Sequence, residues 1–319
     1  MTLAGLILAV AQTFQFAIVA LLLGSTSPTG TEVSPFLAIE QSIVADVAKF
    51  GRRTRAFAVY NLSGTLSSAA GALAGGVPYL LSPSAVITAD SLRPMFVVYS
   101  VLGVVAAMLS AILPDSVEIA GRPSRVTLSP QSRSRVARMA ALFSVDSFAG
   151  GFALQSFISF WFYTVFPESR SLLGPIFFVA GILAAFSFLL AARLGERFGL
   201  LETMVFTHIP SSVLLITLPL LPGFHLALVA YLVRMSLSQM DVPTRQAYLA
   251  GIVGREERTV ANAITNTSRN VTQSAGPFCS ATVVSALGLS VPFFISGGLK
   301  IAYDLSVYAA FRRIAPEST

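Results

Sequence analysis

The chain has 319 residues, of which 54% are hydrophobic and 11% charged, with a mean hydropathy of +0.75 and a formal net charge of +6. Water-soluble domains carry about a quarter charged residues. The polar side chains here cannot cover a soluble globule, which excludes an ordinary cytosolic enzyme, a disordered chain and a disulfide-stapled secreted domain. A lone cysteine, Cys279, forms no internal disulfide, and the two histidines cannot complete a conventional zinc site with it.

Apolar stretches of about 20 residues, enough to cross ~30 Å of hydrocarbon, recur along the chain. In order they cover 3–23, 29–48, 56–82, 95–114, 136–165, 172–192, 201–220, 224–250, 258–286 and 290–312. The second begins in a Ser-, Thr-, Gly- and Pro-rich stretch from Ser25 to Pro35 and carries Glu32 and Glu40. No basic residue precedes the first run, so Met1–Gly24 reads as a span and not as a signal peptide. Ten spans put alternate loops on opposite sides. One set holds fifteen Lys and Arg, from Lys49 and Arg52 through Arg133 and Arg138 to Arg312; the other holds only Arg93 and Arg170. Basic loops stay in the cytoplasm, so both ends of a multi-pass plasma-membrane protein are expected there. The positive charge is topological and calls for no nucleic-acid partner.

Residues 41–71 align without gaps to residues 246–276, ten of 31 positions being identical. Gln41 matches Gln246, Arg53 matches Arg258, Thr54 matches Thr259 and Asn61 matches Asn266. The offset of 205 residues spans six predicted helices, an even number, so the two copies point the same way. Parallel six-helix halves are one of the repeat patterns of secondary transporters. Asp115–Arg135 is charged and poor in apolar residues, and reads as a linker. The expected organisation is 1–114 (four helices), a cytoplasmic linker at 115–135, and 136–319 (six helices), an all-α bundle lacking the first two of twelve helices. A ten-helix transporter of two five-helix repeats is the rival, but an odd repeat would invert the copies. A truncated, non-transporting membrane protein or scaffold is the other alternative.

The stretch Ala192-Arg-Leu-Gly-Glu196-Arg197-Phe-Gly199 is similar to the degenerate second copy of the loop signature of the major facilitator superfamily. Glu196 stands for its acid and Gly199 for its turn, while Leu200 and Leu201 replace the terminal basic pair. Pro35–Gln41, Met240–Tyr248 and Gly298–Asp304 resemble a bacterial branch of the same superfamily. The resemblance implies alternating-access transport of a small solute, with family helices one, four, seven and ten lining the cavity. It leaves substrate, direction and coupling ion open. The arginine that many proton-coupled drug exporters carry in the fourth helix has no match between Ser25 and Val47.

Ionisable groups inside a span are costly and mark candidate functional residues. Arg234 lies near the middle of 224–250, a span that the resemblance assigns to the tenth family helix and so to the substrate path. Asp241 and Arg245, one turn apart, form a local pair and a structural or gating element, and Pro243 permits a bend. Asp146 has no partner within its own span and reads either as a proton carrier or as one side of an inter-helix salt bridge; Gln155 and Ser159 follow it. Asn262, Asn266, Arg269 and Gln273 form one polar stripe that must face protein or water. Asn61, Gly64, Ser68, Gly71 and Gly75 offer a small-residue face for close helix approach. Lys300 and Asp304, four residues apart, are expected to neutralise each other, and His208 and His225 to be incidental at helix ends. Glu40 is equivalent to Arg245 by the repeat, and the two are expected to meet when the cytoplasmic end closes. Glu196 and Arg197 complete the gate charges, with Glu196 near the amino end of the helix that begins at Thr54. No nucleophile–base pair, phosphate loop or metal spacing stands out, so no enzymatic activity, cofactor or metal is expected. The partners are a small solute and the lipid bilayer, with no obligate protein partner.

Overall fold

The computed structural model describes residues 1–11, 13–23, 35–48, 52–75, 89–112, 127–167 and 172–314. The start of the second predicted span with Glu32, the end of the third beyond residue 75, Lys49, Arg170 and the linker from Asp115 to residue 126 lie outside them. Among the described residues the long elements are all α-helices: α1 (Thr2–Val10), α2 (Phe14–Leu23), α3 (Pro35–Val47), α4 (Arg53–Gly75), α5 (Ala89–Ala111), α6 (Pro130–Phe152), α7 (Gln155–Val165), α8 (Leu173–Phe198), α9 (Leu200–Thr217), α10 (Phe224–Ser238), α11 (Asp241–Ile252), α12 (Arg258–Leu287) and α13 (Val291–Phe311).

Four helical runs among the described residues are long and apolar enough to cross a membrane: Arg93–Ala111, Pro130–Val165, Leu173–Phe198 and Leu200–Leu220. Polar residues inside α12 and α13 dilute their hydropathy, and other predicted spans are broken. The span 3–23 is divided between α1 and α2. The span 136–165 breaks after Gly150-Gly151-Phe152, where Leu154 takes φ −58°, ψ 155°; paired glycines weaken the preceding turn. The span 224–250 breaks at Gln239 and Met240, just before Pro243. That proline occupies the first turn of α11, where a backbone N–H has no helical acceptor to lose. Large apolar side chains stand exposed along the outer helix faces, Ile112, Phe186, Phe206 and Phe278 among them, the reverse of a soluble surface.

The described chain forms two compact bodies, one of Met1–Ser34 and Ser67–Ser124, the other of Pro35–Leu66 and Arg125–Thr319. In the first, α1 packs on α5 at small residues. A Cβ added at Gly103 would lie 2.7 Å from the backbone nitrogen of Thr2, and the Ser100 hydroxyl donates to the Thr2 carbonyl at 2.5 Å.

In the second body α6 packs against α12 and α13, α9 packs against α13, α10 and α11, and α3 lies against α12. Phe143, Met204, Tyr248, Tyr303 and Phe311 fill one core, and Trp161, Phe162, Phe224, Tyr231 and Phe293 another. The closest crossing joins Gly151 of α6 to Gly276 of α12. A Cβ on Gly151 would come within 2.7 Å of the Gly276 Cα and of the Gln273 carbonyl oxygen. The close approach expected along α4 is not made at Gly64 or Gly71, where an added Cβ would meet no described atom within 4 Å. Described neighbours meet α4 through Phe57 and Ala58 instead, Ala58 packing with Phe188 and Ala192 of α8.

Candidate functional site

A buried ionic cluster occupies the interior of the second body. Asp146 on α6 is its hub, 4% exposed. Its Oδ1 accepts from Lys300 Nζ of α13 at 2.6 Å, and its Oδ2 accepts from Arg269 Nη1 of α12 at 3.4 Å. Arg245 Nη1 of α11 stands 3.8 Å from the same carboxylate and donates to Asp241 Oδ2 at 2.6 Å. Both guanidinium groups lie over the Phe143 ring, at 5.3 and 5.9 Å. His208 of α9 joins from the other side. Its Nδ1 lies 2.9 Å from Asp304 Oδ1, and its Nε2 lies 4.0 Å from Asp146 Oδ1. Three carboxylates thus face three permanent cations and one imidazole. A buried carboxylate is tolerated only with such compensation, because desolvation penalises each ion singly.

Asp146 makes the inter-helix ion pairs that were one of its two readings, with partners on α13, α12, α11 and α9. Two sequence expectations are corrected here. Lys300 and Asp304 do not neutralise each other: Lys300 turns to Asp146, and Asp304 takes His208. His208 is not incidental, since it sits in the body of α9, 3% exposed, where that helix packs on α13. The available signal was a histidine and an aspartate in separate apolar spans, each without a local counter-charge.

Arg234 lies apart. It is 8% exposed, and among the described residues its Nη1 donates only to Met235 Sδ at 3.5 Å and its Nε has no partner. Gln155 is exposed at the start of α7 and does not join the ionic cluster.

The two copies of the repeat meet in a seam with exchanged partners. Asn61 Nδ2 donates to Gln246 Oε1 at 2.7 Å, and Asn266 Nδ2 donates to Gln41 Oε1 at 3.0 Å. Each Gln–Asn bond is thus the image of the other under the repeat. The backbone repeats too: Arg53 Nε donates to the Ala45 carbonyl at 3.2 Å, and Arg258 Nε to the equivalent Ala250 carbonyl at 3.1 Å. Arg258 also pairs with Asp46, as does Arg255 at 3.3 Å. Thr259 and Asn262 reach the Ser42 hydroxyl at 2.9 and 3.5 Å. The polar stripe on α12 is therefore spent on α3 through its first half and on Asp146 through Arg269. Glu40 and Arg245 do not meet in this arrangement. Glu40 accepts from the Tyr60 hydroxyl at 2.5 Å, and Arg245 is held by Asp241 on its own helix.

The loop between α8 and α9 turns on Gly199, with φ +100°, a conformation that favours glycine. Glu196 and Arg197 are exposed, Arg197 lying over the Phe198 ring at 5.1 Å. The preceding Gly195 faces the methyl groups of Thr54, at the start of α4, and of Thr244. The glycines of the signature thus seat this turn against α4 and α11.

The chain is 23% identical to an uncharacterized membrane protein of Saccharomyces cerevisiae over 346 residues, covering 98% of this chain and 77% of that one. Its fold is similar to that of the proton:xylose symporter XylE bound to 6-bromo-6-deoxy-D-glucose, with a TM-score of 0.69 at 13% identity over 87% of this chain and 67% of that one. It is also similar to a bacterial homologue of the iron transporter ferroportin in an outward-facing state, with a TM-score of 0.62 at 11% identity over 98% of this chain and 80% of that one. The family model for the Major Facilitator Superfamily matches residues 1–242 and 169–319. The multi-pass helical bundle, the loop turning on Gly199 and this match agree: the chain belongs to the Major Facilitator Superfamily of membrane transporters.

Proposed function

We propose that the protein is a secondary active transporter that moves a small solute across the plasma membrane by alternating access. Residues 1–114 and 136–319 act as two halves joined by the linker 115–135, rocking about a site near the midplane. The observation that carries this reading is the exchanged amide seam, Gln41–Asn266 and Asn61–Gln246. Equivalent residues of two parallel repeats touching through swapped partners are what a pseudo-two-fold gate requires when one end of the cavity is shut. The seam lies among the basic residues Arg52, Arg53, Arg255 and Arg258, which supports a cytoplasmic location for it and for both termini.

We assign the coupling ion as the proton and His208 as its station. His208 bridges Asp304 to Asp146 through its two ring nitrogens, each able to carry a proton, with the Tyr303 ring alongside at 6.2 Å between centroids. A proton-driven symporter among the solved relatives in fold supports the assignment.

The test is a reversible latch. In a Cys279→Ser background, Gln41→Cys with Asn266→Cys, bridged by a short thiol cross-linker, should abolish solute-driven proton flux in proteoliposomes loaded with a pH dye. Either single variant treated alike should keep it. Unchanged flux in the cross-linked double variant would overturn the gate. With the seam free, His208→Gln should leave solute exchange running but remove its response to a pH gradient. A retained pH-driven component would overturn the assignment of His208.

A further inference from the structure

Arg234 is unlike the other buried and half-buried cations inside the second body. Arg245 has Asp241, Arg258 has Asp46, and Arg269 and Lys300 have Asp146. Arg234 is more than nine-tenths buried, has no carboxylate within ion-pair distance among the described residues, and leaves its Nε without any hydrogen-bond partner. Its surroundings are apolar or weakly polar: Met235 beside it, and Tyr231 one turn earlier on α10, whose ring is wedged against Phe162 and Phe177. A guanidinium cannot shed its charge, and burying it unpaired is strongly unfavourable. Its position is four residues before the break between α10 and α11, and interrupted helices form the substrate sites of many transporters.

We infer that Arg234 is the seat of an anion site, and that the transported solute carries a carboxylate or phosphate group. The inference rests on the transport reading above for the word solute, but the site itself does not. The edge of a guanidinium formed by Nε and a terminal nitrogen offers two parallel N–H donors, which match the two oxygens of a carboxylate or phosphate. At Arg234 the Nε position of that fork is vacant, and Nη1, on another edge of the group, meets only a thioether. Neutral sugars and cations offer nothing that compensates the charge.

The experiment uses the full chain in phosphatidylcholine nanodiscs and reads thermal unfolding, with acetate, succinate and inorganic phosphate as probes against chloride at matched ionic strength and glucose as a neutral control. At least one oxyanion should raise the wild-type Tm by about 2–4 °C, and glucose should not. Arg234→Met should raise Tm in oxyanion-free buffer, because an unpaired charge is removed, and should erase the oxyanion response. Arg234→Lys should keep part of that response as a point charge. No Arg234-dependent stabilisation by any oxyanion, or a lowered Tm for Arg234→Met without oxyanion, would overturn the site. If phosphatidylglycerol nanodiscs alone give the Arg234-dependent rise, the ligand is a lipid headgroup and the solute assignment falls. Binding is read here without flux, so failure of transport in the latch experiment and failure of this site are separate results.

Discussion

Asp146 illustrates how one side chain can hold four helices. Its carboxylate meets Lys300, Arg269, Arg245 and His208, from α13, α12, α11 and α9. Replacing it by asparagine strands Lys300 and Arg269, and losses of about 3–5 kcal/mol accompany removal of one member of a buried pair. Asp146→Asn should therefore lower the unfolding midpoint in detergent sharply. Adding Lys300→Met should recover part of the loss, because one stranded cation is removed with the acid. Losses that merely add would show that the two side chains are not coupled. The residues that a single helix defines were readable from sequence: Asp241 and Arg245, four apart, do pair. Those whose partners lie on other helices were not. The sequence places Lys300 beside Asp304 by spacing, but the direction in which α13 packs decides that one turns to α6 and the other to α9.

Helix α6 is held at both ends by devices of different kinds. Near its carboxyl end the bare backbones of Gly151 and Gly276 touch. A side chain at either position forces α6 and α12 apart, and overpacking of this type costs about 1–3 kcal/mol or more. Gly276→Val should destabilise the protein, whereas Gly64→Val, which faces open space, should be silent; equal effects on the unfolding midpoint would refute the distinction. At its amino end, Ser129 caps α6 and Pro130 occupies the first turn. The Glu257 carboxylate accepts from the Ser129 N–H at 2.5 Å, from the Gly254 N–H at 3.4 Å and from the Ser132 hydroxyl. Partial burial works against its charge, but these bonds outweigh it and hold the carboxyl below the ordinary range. A depressed carboxylate stabilises fully above its unfolded pKa and loses that contribution as pH falls through its folded value. Amide protection over residues 129–135 should therefore fall as the pH drops below about 4. Glu257→Gln should lack that protection at every pH, and identical protection in the variant would dismiss the tie. The apolar length of the helices was readable; the cap was not, because 130–135 read as linker although these residues form the first turns of the helix. The breaks at Ala153 and Gln239 were not, because hydropathy averages across a kink, and the glycine contact was missed because small residues on α4 looked equally suitable.

The repeat was the most informative long-range feature of the sequence. An offset of 205 residues equated Gln41 with Gln246 and Asn61 with Asn266, and the structure binds each to the other's neighbour. What the offset could not supply was the direction of pairing. It paired Glu40 with Arg245 in position, yet Glu40 bonds Tyr60 within its own copy and Arg245 bonds Asp241 within its own. The charges on the seam are also one-sided: Asp46 holds Arg255 and Arg258, while its counterpart by the offset is Gly251. High salt should consequently weaken the Asp46 side first, Arg255 being largely exposed, and leave the amide bonds in place. Raising the ionic strength should therefore lower the unfolding midpoint of the wild type more than that of Asp46→Asn, and equal shifts would contradict this.

The glycine crossing has a mechanical corollary. Two backbones in contact without intervening side chains form a bearing: the helices can pivot there but cannot slide past one another. Asp146 lies five residues before Gly151, and Arg269 seven before Gly276. At 1.5 Å of rise per residue these are lever arms of roughly 8 and 10 Å, so a scissor rotation of about 10° displaces the two charges by roughly 1.5 Å. Their present separation is 3.4 Å. A rotation too small to disturb the crossing is thus enough to part Arg269 from Asp146, leaving the acid to Lys300, with Arg245 and His208 farther off.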